Sequence, residues 1–356
     1  MDAEKPTLKD IARAAGVSAT TVHRSLHGKG GVGKIMDEEI KRIASELGYR
    51  SNYLASTLKR KDIHLAIALP EPILDYKYYY LSLWRGVRKF LKEIPEFGIK
   101  AVEFYYPFAE GSNGAILREI YEKNSDDIDG LLTIAVDHNQ SAYFLEKLND
   151  KGIPIVLVGS DLYKDYRLCC VKTYDEVVGQ VAAELLTAFN SKEKKVILSG
   201  NPTGTLSMLD QFYNINGFEK YISEAKDSVE LIHVFGTPGK ENISKLKQVL
   251  EENDDIYAIY SSSARHTMQM CKAVIEMGLE GKVRLIGNDC FKESVNYLKQ
   301  GVLTAIIDKK IPMQSYLAMK TLFDYVVKGE YPSSSLLYVQ PSIVMKSNVE
   351  KELQEW

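Results

Sequence analysis

The expected fold class is a small N-terminal all-α head of helix-turn-helix type, joined to a much larger α/β body of two lobes with doubly wound parallel sheets. Three observations predict it. Residues 7–27 read TLKDIARAAGVSATTVHRSLH, two short amphipathic helical patterns broken by a glycine. From residue 63 the texture changes to apolar runs alternating with amphipathic stretches, the pattern of repeated βα units. At 356 residues the chain can bury more than one core, and about eight to twelve such units exceed a single doubly wound domain.

In the head, Thr7 and Asp10 stand three apart, the spacing of an N-cap and its reciprocal partner. Leu8, Ile11, Ala12 and Ala15 follow at helical spacing and form one narrow apolar face. Gly16 ends that helix, and Ser18 can cap a second one that turns Val22 and Leu26 inward. Ala19, Thr20, His23 and Arg24 then point outward, and small residues at its start let such a helix enter a major groove. Two helices of an unrelated bundle would show the same periodicity. A third pattern, Ile40, Ile43, Ala44 and Leu47, stops at Gly48, and Tyr49–Lys61 reads YRSNYLASTLKRK.

The succession TLKDIARAAGVSATTV … ELGYRSNYLASTL resembles the N-terminus of the lactose-repressor (LacI/GalR) family of transcription regulators. The resemblance implies that Thr7, Ala19, Thr20, Thr21, His23, Arg24 and His27 face operator DNA. It also implies that residues 51–61 become a hinge helix when two subunits meet on that DNA. There Leu58 would be wedged into a minor-groove step, with Asn52 and Ala55 in support. A homodimer on a palindromic site, acting as a repressor without a cofactor, is the expected assembly. Three positions depart from the family: His23 and Gly33 replace serines, and Ser51 replaces the proline before Asn52. The expected domains are 1–50 for the head, 51–61 for the hinge and 62–356 for the sensor. Lobe one is placed at about 62–161 and 309–330, and lobe two at about 162–308 and 331–356.

In the body, IHLAIALP (63–70) is a buried-strand run, followed by a helix from about Tyr80 to Glu93. Further strand candidates are 101–108, 130–136, 153–160, 195–200, 230–235, 256–262 and 282–289. The order resembles the periplasmic-binding-protein fold, the sensor of the same regulator family. Ligands of such sheets lie beyond the carboxyl ends of the strands, here between the lobes. Tyr79 and Tyr80 stand where sugar-stacking aromatics occur in relatives, although a run of three tyrosines can also simply cover a lobe interface. Trp84 reads as core packing. Asp137 follows a strand as a candidate acceptor, and Asp289 ends IGND where the family carries its ligand-binding aspartate. Asn214 replaces a frequent arginine before Gly217–Phe218, Ser263 a frequent asparagine, and Asp308 an expected glutamine. Losing an arginine and gaining an aspartate points to a neutral sugar, polyol or amino sugar. A nucleoside or other metabolite as effector, and activation in place of repression, are left open.

Charge is uneven. Residues 1–61 hold 12 Lys and Arg against 7 Asp and Glu, whereas the remainder holds 33 against 41. A basic head on an acidic body suits a phosphate-facing module. Gly28–Lys34, GKGGVGK, imitates a nucleotide-binding loop, but Ile35 replaces the magnesium-binding hydroxyl and no strand precedes it. A turn touching DNA phosphate is the alternative. Cys169, Cys170, Cys271 and Cys290 have neither metal nor disulfide spacing and read as reduced thiols. His138, His233 and His266 lack metal spacing, and no nucleophile motif is present, so no enzyme is expected. No apolar stretch is long enough for a membrane span or a signal peptide, so a cytoplasmic protein is expected.

Overall fold

The computed structural model describes residues 8–26, 32–47, 63–94, 98–136, 138–188, 194–202, 209–225 and 229–354. The head contains α1 (Leu8–Ala15), α2 (Ala19–Leu26) and α3 (Lys34–Glu46). Gly16 adopts φ +65, the left-handed conformation that ends a helix without a Cβ penalty. Ser18 Oγ accepts from the Thr21 amide at 3.0 Å, so the expected second cap is present. Ile11, Ala12, Val22, Ile40, Ile43 and Ala44 form the core of the head. Leu47, expected to face inward, is 42% exposed because α3 ends one residue earlier. Ser25, nearly fully buried, donates to the Asp37 carboxylate at 2.7 Å and ties α2 to α3.

The body is built from two six-stranded sheets. In the first lobe are β1 (Ile63–Pro70), α4 (Lys77–Glu93), β2 (Ile99–Tyr106), α5 (Ser112–Glu119), β3 (Gly130–Thr133), α6 (Asn139–Asp150), β4 (Ile155–Val158) and β5 (Cys169–Thr173). The chain then crosses to the second lobe with α7 (Asp175–Thr187), β6 (Lys194–Gly200), α8 (Leu209–Glu224), β7 (Val229–Phe235), α9 (Lys240–Glu252) and β8 (Ile256–Ser261). That lobe continues with α10 (Ala264–Glu276), β9 (Arg284–Asn288), α11 (Lys292–Gln300) and β10 (Ala305–Asp308). Next, α12 (Ile311–Phe323) returns to the first-lobe core, β11 (Leu336–Val339) joins the first sheet, and β12 (Ser342–Val344) joins the second. A terminal helix, α13 (Val349–Gln354), follows.

The strand orders are β11-β5-β4-β3-β1-β2 and β12-β10-β9-β8-β6-β7. All neighbours run parallel except the antiparallel pair β10–β12. Each order reverses at one switch point, between β1 and β3 and between β6 and β8, where a doubly wound sheet opens a crevice. The expected lobe boundaries need correction. β5 and β11 both pair within the first sheet, so the crossovers fall after Thr173 and Val339, not near 161 and 330. Short strands contributed from late in the chain carry no local signal of which sheet they complete.

Helix packing in the second lobe depends on glycine. A Cβ on Gly217 of α8 would lie 2.0 Å from the Glu176 carbonyl oxygen on α7, so only glycine permits this approach. Trp84 is fully buried and donates Nε1–H to the Pro70 carbonyl at 3.0 Å, as a core tryptophan requires. All four cysteines are free thiols; Cys169, Cys170 and Cys271 are buried. No helix among the described residues is long and apolar enough to cross a membrane.

Candidate functional site

Two regions present functional chemistry. In the head, Ala19, Thr20 and Arg24 are exposed and Thr21 is half-buried, all on α2. The opposite side of this helix is held inside by Val22 and Ser25. The internal bond from Ser25 to Asp37, itself 2.6 Å from Lys41, fixes the pitch of α2 against α3. Thr7, His27, Asn52, Ala55, Leu58 and the side chain of His23 lie outside the described residues, as do Gly28–Gly31 of the glycine-rich stretch.

The second region is the cleft between the carboxyl ends of the two sheets. Asp289 follows β9 with φ +67, a left-handed conformation that costs aspartate some strain and is held by its surroundings. Its amide donates to the Ile307 carbonyl at 3.1 Å, and Ser294 Oγ donates to its carbonyl at 2.9 Å. Its carboxylate lies 3.4 Å from Lys309 Nζ, and both side chains are only 4% exposed. Lys309 Nζ also sits 5.8 Å from the ring centre of Tyr79, so this cation touches both lobes. Tyr79 is half-buried, and its hydroxyl occupies space that a Cβ on Gly159 would enter at 2.6 Å. Gly159 itself adopts φ +88. Tyr80 is fully buried, edge-on to Tyr79 at 5.2 Å, and belongs to the first-lobe core.

Around Asn214 the second lobe builds a buried polar floor. Asn214 Nδ2 donates to the Ser262 carbonyl at 3.2 Å, while the Tyr260 hydroxyl donates to Asn214 Oδ1. Asn288 Nδ2 donates to the Tyr260 oxygen at 3.0 Å. Burial pushes the Tyr260 phenol upward, so it stays a neutral donor. Ser263 caps α10 by accepting from the His266 amide at 3.4 Å. His266 Nε2 lies 3.0 Å from the Gly236 carbonyl, which can only accept, so Nε2 carries the proton. Nδ1 therefore accepts from Ser263 Oγ at 2.8 Å. Burial lowers the His266 pKa to about 4, leaving the ring neutral at physiological pH. Asp308 is engaged by backbone amides. Its Oδ1 accepts from the amides of Cys290 at 3.3 Å and Lys310 at 3.2 Å, and burial pushes its pKa up. Asp137 lies outside the described residues.

The structure adds cleft residues that sequence reasoning passed over. Arg265, in the first turn of α10, lays its guanidinium carbon 4.4 Å from the ring centre of Tyr76 across the cleft. Tyr78 meets Phe291 at 4.6 Å, and Lys77 meets Glu293 at 3.2 Å, so with Lys309–Tyr79 these contacts join α4 and the segment before it to the second lobe. A helical moment or strand alternation cannot flag such residues, since only the approach of the lobes brings them together.

An α-helical head of this geometry on a two-lobed binding body defines a ligand-responsive DNA-binding protein. Comparison with known proteins supports both halves. Residues 7–52 match the bacterial regulatory proteins of the lacI family, and residues 77–330 match a periplasmic binding protein domain. The chain belongs to the lacI family of transcription regulators, and that family consists of regulators and binding proteins, not enzymes. It is 25% identical over 250 residues to the HTH-type transcriptional regulator DegA of Bacillus subtilis, covering 68% of this chain and 69% of that protein. It is 24% identical over 291 residues to the ribose operon repressor of Lactococcus lactis, covering 80% of each. A LacI transcriptional regulator from Bacteroides fragilis shares the fold with a TM-score of 0.72 and 20% identity, over 82% of this chain and 99% of that one.

Proposed function

We propose that this chain is a repressor that binds a palindromic operator as a homodimer and loses affinity for it when a sugar or sugar derivative fills the cleft. The observation that carries the reading is the triple crossover between the lobes, after Thr173, at Lys309–Lys310 and after Val339. Closure about a ligand rotates one lobe on these three strands, and β1 of the first lobe lies directly after the hinge segment. A change in lobe geometry thus alters the spacing of two heads in a dimer. Residues 51–61, the expected hinge, lie outside the described residues. The ribose operon repressor among the relatives supports a sugar as effector class.

A ligand shifts DNA affinity only by its differential affinity for the two body states, about 1–3 kcal/mol in typical couplings. The test selects operator sites from a random palindromic library with the full chain. Fluorescence anisotropy on the selected site then follows affinity across a carbohydrate panel. A cleft ligand should weaken binding by roughly 5–150-fold. A chain that selects no sequence, or whose operator affinity no sugar alters, would overturn the reading.

A further inference from the structure

Resting on the sugar-sensor reading, we propose that the effector carries a carboxylate, a sugar acid of the aldonate or uronate class, and that Arg265 is its anchor. Arg265 is the reason. Its guanidinium is stacked on Tyr76, and its Nε is buried with no hydrogen-bond acceptor among the described residues. Three neighbouring cations have acidic partners: Lys309 with Asp289 at 3.4 Å, Lys77 with Glu293 at 3.2 Å, and Lys310 with Glu352. No ion pair involving Arg265 occurs among the described residues.

The buried Nε of this partly exposed guanidinium is costly to desolvate without an acceptor, and a ligand anion relieves that cost. Guanidinium also has the planar fork that matches a carboxylate in bidentate fashion, while its face stays on the aromatic ring. Charge decides between carboxylate and phosphate. One uncompensated cation balances a monoanion, and Lys309 is already committed to Asp289. The arginine missing at position 214 removes the second cation that a dianionic phosphate needs. The neutral-ligand expectation counted charges at positions 214 and 308 only; Arg265 restores one charge from a third position. Asp289, Tyr79 and the lobe edges are left for hydroxyls and the apolar sugar face. The carboxylate would sit against the Arg265–Tyr76 contact, so its charge is coupled directly to lobe closure.

The experiment titrates the full chain by calorimetry with matched pairs, D-galactose and D-galacturonate, D-glucose with D-glucuronate and D-gluconate, and with glucose 6-phosphate. The parent chain should bind at least one acid about tenfold or more tightly than its neutral partner. Arg265→Gln should erase that advantage and Arg265→Lys should keep part of it, with circular dichroism verifying that both variants are folded. Neutral sugars binding as well as their acids, the phosphate binding more tightly than any acid, or Arg265→Gln keeping the acid's advantage would each overturn the charge assignment alone. Failure of acids and neutral sugars alike to bind the parent chain would instead overturn the sugar-sensor reading beneath it.

Discussion

Asp289 and Lys309 form a buried pair at the heart of the cleft, and the two partners cannot be removed independently. Deleting one half of a buried ion pair typically costs about 3–5 kcal/mol, because the other charge is stranded. Asp289→Ala should therefore destabilise the body by about that amount in urea unfolding, and Asp289→Asn by less. The double variant Asp289→Ala/Lys309→Met should recover most of the loss. A double variant no more stable than Asp289→Ala would show that the pair is not the cause. His266 makes a second residue-scale prediction. Its pKa of about 4 in the fold lies below the usual 6.5, so the unfolded chain takes up a proton first as pH falls. Its contribution is complete above pH 6.5 and is lost on descending toward pH 4, about 3 kcal/mol at full extent. Urea unfolding at pH 7 and pH 5 should show a difference that shrinks in His266→Gln. The position of Asp289 at the end of a strand was legible in the sequence, where the family resemblance marked it, and the structure sets it beside Lys309. Arg265 and Tyr76 were not, because their meeting is fixed only when the lobes come together.

At the scale of elements, α2 is expected to carry operator recognition, and its outer face is written in small exposed residues around Arg24. Arg24→Ala should lower specific operator affinity by about 1–3 kcal/mol in anisotropy titrations, with little change in nonspecific binding. Equal affinity in the variant would take this helix out of the groove. In the second lobe the α7–α8 crossing is equally local in cause. Gly217→Ala places a methyl 2.0 Å from the Glu176 carbonyl oxygen, which must push the helices apart. Overpacking of this kind costs about 1–3 kcal/mol, measurable as a lowered unfolding midpoint. The long strands β1, β6 and β7 were readable as apolar runs bounded by turns. β5, β10, β11 and β12, three to five residues each, were missed. Which sheet β5 and β11 join is decided by pairing with strands far away in sequence, and that information is absent from any local window.

For the whole molecule, the proposed switch rests on an equilibrium between lobe arrangements, and contacts that bridge the two lobes in the structure are where it can be tested. Lys77–Glu293 is 45% and 36% exposed, so this surface pair contributes little by itself. The Tyr78–Phe291 ring contact at 4.6 Å is better placed to matter, with Phe291 only 7% exposed. Aromatic pairs of this kind contribute about 0.5–1.5 kcal/mol beyond area burial. Tyr78→Ala should withdraw that much from the closed state while leaving Asp289 and Arg265 in place. Effector affinity should fall by about 2–12-fold, since binding must supply the closure that the contact no longer supports. If ligand binding and operator release are linked through closure, the variant should also need more effector to leave its operator, by the same factor. Calorimetry, anisotropy and small-angle scattering of the ligand-free chain measure the three quantities separately. An unchanged effector affinity with a more open ligand-free chain would mean that closure and binding are not coupled through this contact.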